Sequence, residues 1–118
     1  MTAALDCLGV CIYSLMGLKI NNLIPLINSG LGLSLNLDDL MKTGERVWNL
    51  ERKINLESGL TGKGDTISQR LLSEEIPKGE HKGEVCKLRE MLPEYYRIRG
   101  WDENGVPAPE KLADLELN

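Results

Sequence analysis

The chain has no phenylalanine, and two tryptophans and three tyrosines are its whole aromatic supply. Its core must therefore be packed with Leu, Ile and Val, or be completed by docking against other protein. No basic block exists: 14 Lys and Arg are scattered among 18 Asp and Glu, for a net charge of -4. That balance argues against nucleic acid as a partner. No apolar run reaches membrane length, because Asp6, Lys19, Asn21, Asn22 and Pro25 interrupt the longest one, Leu5 to Leu35. No basic residue precedes that run and no small-residue cleavage pattern ends it, so neither a membrane anchor nor a secretory signal is expected. The expected location is cytoplasmic.

Cysteine is also scarce. Cys7, Cys11 and Cys86 make an odd count, so at least one thiol stays unpaired within the chain, and nothing suggests a secreted disulfide scaffold. What is present is ordinary for a folded protein: 118 residues, 42% hydrophobic and 27% charged, enough for one modest core. One domain is expected. The amino end runs directly into the apolar segment from Leu5, which gives the expectation of a fragment cut from a larger chain.

Helical spacing organises most of the sequence. Leu8, Ile12, Leu15 and Met16 predict a short helix from Leu8 to Met16, and a second is predicted from Asn21 to Ser29 despite Pro25. The clearest stretch is Leu37 to Leu56, where Leu37, Leu40, Met41, Gly44, Val47, Trp48, Glu51 and Ile54 follow the 3, 4 repeat. Asn36 is placed to cap it, and Asp38 and Asp39 suit its first turn. Gly44 inside this helix costs roughly 1 kcal/mol against Ala, which predicts close approach of another backbone there. Trp48 is expected in the core. Glu45, Arg46, Glu51 and Arg52 are read either as solvated ion pairs or as docking groups.

From Glu57 to Gly83 glycine and polar residues dominate, so this is expected to be an irregular arm, pinned to a surface through Ile67, Leu71, Leu72 and Ile76. Helix is predicted again from Glu84 to Arg99, with Pro93 as a kink or a fresh start. Turn chemistry follows at Asp102 to Gly105, and Pro109 opens a last helix through Leu115. Tyr95, Tyr96 and Trp101 are expected to lock the later helix in place. No β-alternating run appears, so the predicted fold is all-α: roughly five helices with a long central one and an extended arm.

Cys7 and Cys11 are four apart and on one helix would share a face; His81 and Cys86 are further possible ligands. The spacing matches neither a known zinc pattern nor a redox pair, and by spacing alone buried structural thiols are the better reading. His81, in a polar stretch, is expected to be exposed.

Three sequence blocks add to this reading. Asp6-Cys7-Leu8-Gly9-Val10-Cys11 resembles the aspartate-x-x-glycine-leucine-cysteine motif of the aldehyde ferredoxin oxidoreductase family, with Val10 in place of leucine. Gly44-Glu45-Arg46-Val47-Trp48-Asn49-Leu50-Glu51-Arg52 is similar to that family's glycine-glutamate-arginine helix, and the stretch from Glu94 to Pro107 resembles its carboxy-terminal signature. The blocks lie in the family's order and cover nearly the whole chain.

The resemblance implies a carboxy-terminal helical domain, residues 1 to 118, of an enzyme that oxidises aldehydes to carboxylic acids with ferredoxin as electron acceptor. It implies a tungsten (or molybdenum) bis-pterin and a 4Fe-4S cluster. It assigns Asp6 to hydrogen bonding with a pterin, Gly9 and Val10 to backbone contact with it, and Cys11 to the cluster as a metal ligand, with no catalytic residue and no ligand role for Cys7. The cluster's other three cysteines and the pterin-cradling domain are missing from this sequence. The isolated chain is therefore expected to be inactive, to hold no cofactor, and to self-associate through an apolar face near Leu5 to Ile12, with the parent's remaining domains as its natural partner. The rival expectation is a separately encoded, non-catalytic helical binding or assembly protein with the same fold.

Overall fold

The computed structural model describes residues 1–117. It contains six α-helices: α1 (Thr2–Cys7), α2 (Ile20–Leu31), α3 (Leu37–Glu57), α4 (Gln69–Ser73), α5 (Leu88–Arg99) and α6 (Pro109–Asp114). Two short 3-10 helices, Ile12–Met16 and Gly62–Gly64, complete the regular structure. The all-α class is as expected, and the only ladder-type pairing among the described residues is one isolated bridge between Trp101 and Pro107. Among the described residues no helix is long and apolar enough to cross a membrane.

The chain divides into two compact units, one of Met1–Glu51 with the stretch from Leu112 onward, the other of Arg52–Lys111. In the first unit Leu5, Leu23 and Ile27 form a small buried cluster, against which Leu8, Val10, Leu15, Ile20 and Leu35 pack. Leu5 is completely buried, which stabilises by about 1.5 to 3 kcal/mol for a side chain of this type.

α3 begins as its sequence directs. The Asn36 Oδ1 accepts the Asp39 N–H at 3.0 Å while the Asp39 carboxylate accepts the Asn36 N–H at 2.9 Å, a reciprocal cap. The close approach expected at Gly44 is also found: a Cβ built there would stand 3.1 Å from the Ala4 Cβ and 3.2 Å from the Ala4 nitrogen. Loop 32–36 is held by Asn28, whose side chain donates to the Leu35 carbonyl and accepts the Leu35 N–H, both at 2.9 Å. Arg46 fastens the end of the chain by donating from Nε to the Leu115 carbonyl at 2.8 Å, and Leu115 is 1% exposed.

Several expectations are corrected. Leu8 to Met16 is not one helix: α1 ends before it and a 3-10 turn begins at Ile12. The helical spacing instead reflects burial of Leu8 and Leu15 on the Leu5 cluster, while Ile12 and Met16 stay exposed. Trp48 is not core; it is 39% exposed. α3 buries Leu40 and Gly44 early, but later it buries Asn49 and Arg52 in place of Trp48 and Ile54. The helix predicted from Glu84, α5, starts instead at Leu88, because the backbone before it is already used. The Glu84 carbonyl accepts the Ile76 N–H and the Cys86 N–H donates to the Leu71 carbonyl, each at 3.0 Å. Those bonds pin the arm, whereas Leu71 and Ile76 side chains are exposed and only Ile67 and Leu72 are half-buried. Pro93 neither ends nor restarts α5, which runs through it with Pro93 on the exposed side.

Candidate functional site

The Asp6 to Cys11 segment folds into a helix-ending turn. α1 closes with the Gly9 N–H donating to the Asp6 carbonyl at 3.0 Å and the Val10 N–H donating to the Leu5 carbonyl at 3.1 Å. This paired arrangement requires a left-handed residue just past the helix, and Gly9 supplies it at φ +64. Val10 then packs back on buried Leu5, the apolar contact that accompanies such a turn. Cys11 follows in extended conformation, and its carbonyl accepts the Ser14 N–H at 2.9 Å to open the 3-10 helix.

The outcome is one tight turn with its apolar residues inward and its polar ones outward. Asp6, Gly9 and Cys11 are exposed and Val10 is half-buried. Cys7 is exposed as well, and Cys86 is half-buried, so the buried structural thiols expected from spacing are not found. Nor do Cys7 and Cys11 share a helix face, since the turn at Gly9 separates them. The apolar face expected from Leu5 to Ile12 is also displaced along the chain. Leu5 is fully buried by its own unit, and the most exposed apolar groups nearby are Tyr13 at 75% and Met16 at 86%.

Asp6 and Cys11 thus place an exposed carboxylate and an exposed thiol on one turn. An exposed thiol is a normal iron ligand once deprotonated, and an exposed carboxylate is an acceptor for paired N–H donors. Among the described residues no three His, Cys, Asp or Glu side chains gather as a metal-holding group. His81 is exposed as expected, and its Nδ1 lies 3.3 Å from Glu84.

The second unit has a polar centre that sequence reading missed. Arg52 donates from Nη1 and Nη2 to the two Asp65 carboxylate oxygens at 2.8 and 2.7 Å, and from Nε to the Gly105 carbonyl at 2.7 Å. The Tyr96 hydroxyl donates to the same carboxylate, and the guanidinium lies over the Trp101 ring, 4.8 Å from its centroid. Burial disfavours the Asp65 carboxylate, but hydrogen bonds from Arg52 and Tyr96 and the guanidinium charge outweigh it and hold its pKa below the ordinary value. Burial first, then the bond to Asp65 and its charge, push the Tyr96 phenol up to about 12. Arg52 is thus neither a solvated ion-pair partner nor a free docking group. The one sequence signal for this centre was an aspartate isolated among glycines at Gly62-Lys63-Gly64-Asp65.

The family profile described as aldehyde ferredoxin oxidoreductase, domains 2 and 3, matches residues 1–117. Proteins named tungsten-containing aldehyde ferredoxin oxidoreductase are 45% identical in Pyrococcus horikoshii, 44% in Pyrococcus abyssi and 42% in Pyrococcus furiosus, each over 99% of this chain. The chain spans about a fifth of the length of these relatives, 19% of the first. Among solved structures, the active site complex of benzoyl coenzyme A reductase superposes with a TM-score of 0.65 at 26% identity, covering 85% of this chain and 14% of that one. With the profile matching 117 residues and the relatives aligned over nearly all of it, the chain belongs to the aldehyde ferredoxin oxidoreductase family.

Proposed function

We propose that this chain is one part of a tungsten-pterin, iron-sulfur oxidoreductase that oxidises aldehydes to carboxylic acids in the cytoplasm and passes the electrons to ferredoxin. The observation that supports this reading is the family match over nearly the whole chain, with the Asp6 to Cys11 turn held at the surface of its unit. When bound, the tungsten (or molybdenum) bis-pterin supplies the centre where an aldehyde and water become an acid, two protons and two electrons.

The residues of this chain have narrower tasks. Asp6, as an acceptor-only carboxylate, receives paired N–H donors of the pterin's aminopyrimidinone ring. Gly9 and Val10 have already given their N–H groups to the Asp6 and Leu5 carbonyls, so what they offer a pterin is their own carbonyls and a surface without bulk. Cys11, as thiolate, holds one iron of the 4Fe-4S cluster, and the other ligands come from the remaining domains of the parent protein. In isolation the chain is inactive and empty.

The test is Cys11→Ser in the full-length enzyme. Loss or alteration of the cluster, read as iron content per protein and as the reduced-cluster spectrum, is the expected result. Unchanged iron and unchanged turnover overturn the assignment.

A further inference from the structure

We propose that Gly44 is a positioning residue for the Asp6 to Cys11 turn: by bringing no side chain to the contact, it lets α1 lie against α3 and so sets where the carboxylate and thiol are presented. This rests on the proposed roles of Asp6 and Cys11, and adds a residue far from them in sequence on which their placement depends. α1 is six residues long, with no side-chain cap at its start and with its end closed on its own Leu5 and Asp6 carbonyls. So short a helix does not hold itself in place. Its buried residues are Ala4 and Leu5, and Ala4 stands on Gly44.

The contact leaves no spare room. A Cβ at position 44 would lie 3.1 Å from the Ala4 Cβ and 3.2 Å from the Ala4 nitrogen, so α1 must give by a few tenths of an ångström to admit a methyl group. On the other side Leu5 is seated among Leu23 and Ile27, which limits sliding and turns the push into a shift of the helix end. Asp6 is two residues beyond Ala4, and the turn through Gly9 transmits the shift to Cys11 by its two backbone bonds. A shift of a few tenths of an ångström stays within the tolerance of about 0.5 Å for holding a ligand group, so iron is retained, while cluster potentials respond to hydrogen bonding and solvent exposure at the sulfurs and report the shift.

The test uses the full-length enzyme carrying Gly44→Ala, Ala4→Gly, both together, and Leu40→Ala as a control on α3. Leu40 is 2% exposed and lies one helical turn before Gly44, so its truncation lowers stability while adding no atom at the Gly44 contact. Expected for Gly44→Ala are a changed spectrum of the reduced cluster and a shifted midpoint potential at retained iron content. Partial restoration is expected when Ala4→Gly is added, because the double variant removes the 3.1 Å contact with the Ala4 Cβ and keeps the 3.2 Å approach to the backbone nitrogen. Leu40→Ala should lower the melting temperature and leave spectrum and potential alone. An unmoved cluster signature in Gly44→Ala, an equal change in Leu40→Ala, or a double variant with no recovery overturns the proposal. If Gly44→Ala does not fold, the double variant decides: folding with its iron bound supports the steric account, and failure to fold sinks it. The ligand role of Cys11 fails by a different sign, unchanged iron in Cys11→Ser, so the two failures are distinguishable.

Discussion

Arg52 grips both carboxylate oxygens of Asp65, at 2.8 and 2.7 Å, from thirteen residues away along the chain. The pair joins the end of α3 to the irregular arm, and the arginine side chain is 9% exposed while the aspartate's is 25% exposed. Removing one partner of such a pair leaves a charge without its counterpart. Arg52→Ala should therefore destabilise this unit by about 2 to 3 kcal/mol, less than the roughly 3 to 5 kcal/mol of a fully buried pair, because Asp65 keeps some contact with water. Denaturant unfolding of the chain checks it. Arg52→Lys should recover less than half, since a single ammonium cannot make the two-pronged contact and reach the Gly105 carbonyl as well.

The same centre sets a pH dependence. Asp65 has a lowered pKa in the fold, so its contribution is complete above the unfolded aspartate value and is lost as pH falls through the folded one, below about pH 4. Tyr96 is raised to about 12, so its contribution is complete below the unfolded tyrosine value of about 10 and is lost as pH climbs to 12. Melting temperature plotted against pH should fall at both ends. Tyr96→Phe should abolish the alkaline fall specific to this hydroxyl, and Asp65→Asn should flatten the acid one.

Two glycines in left-handed conformation should respond unequally to alanine. At Gly9 a Cβ meets nothing within 4 Å, so Gly9→Ala carries only the conformational cost of about 1 to 2 kcal/mol. At Gly105, with φ +74, a Cβ would collide with the Arg52 guanidinium and the Tyr96 ring. Gly105→Ala should cost more than about 3 kcal/mol, or prevent the second unit from folding, because strain and steric conflict add. Thermal melts of the two variants side by side settle the order.

In the full-length enzyme Asp6→Asn and Cys11→Ser should fail differently. The amide of Asp6→Asn presents donors to donors, at about 1 to 3 kcal/mol for groups left unpaired, so pterin and tungsten occupancy should drop while iron stays. Cys11→Ser should lose or alter the cluster and electron delivery first. Iron and tungsten assays beside aldehyde-dependent dye reduction separate the two; an equal loss of both metals in both variants would contradict separate roles.

Helix content, the α3 cap at Asn36, the close approach at Gly44 and the final turn and helix were all legible in the sequence. These are local: a capping pair three residues apart, or a proline at a first turn, carries its own geometry. The family was legible too, from three ordered blocks. The end of α1 was local as well, but the period of Leu8, Ile12 and Leu15 hid it; a left-handed glycine with backbone bonds to Leu5 and Asp6 overrode that period.

Only tertiary structure decided which groups α3 buries. Trp48 is partly exposed while Arg52 is interior, because Asp65, Gly105, Tyr96 and Trp101 converge on the guanidinium from distant parts of the chain. Each of those partners is unremarkable alone, and only their meeting makes a buried charge tolerable. The same holds for the start of α5, delayed to Leu88 because the arm had taken the preceding backbone groups. Spacing along the chain determines where a helix can form; whether a backbone N–H or a charged side chain is free to join it depends on what the rest of the chain has already claimed.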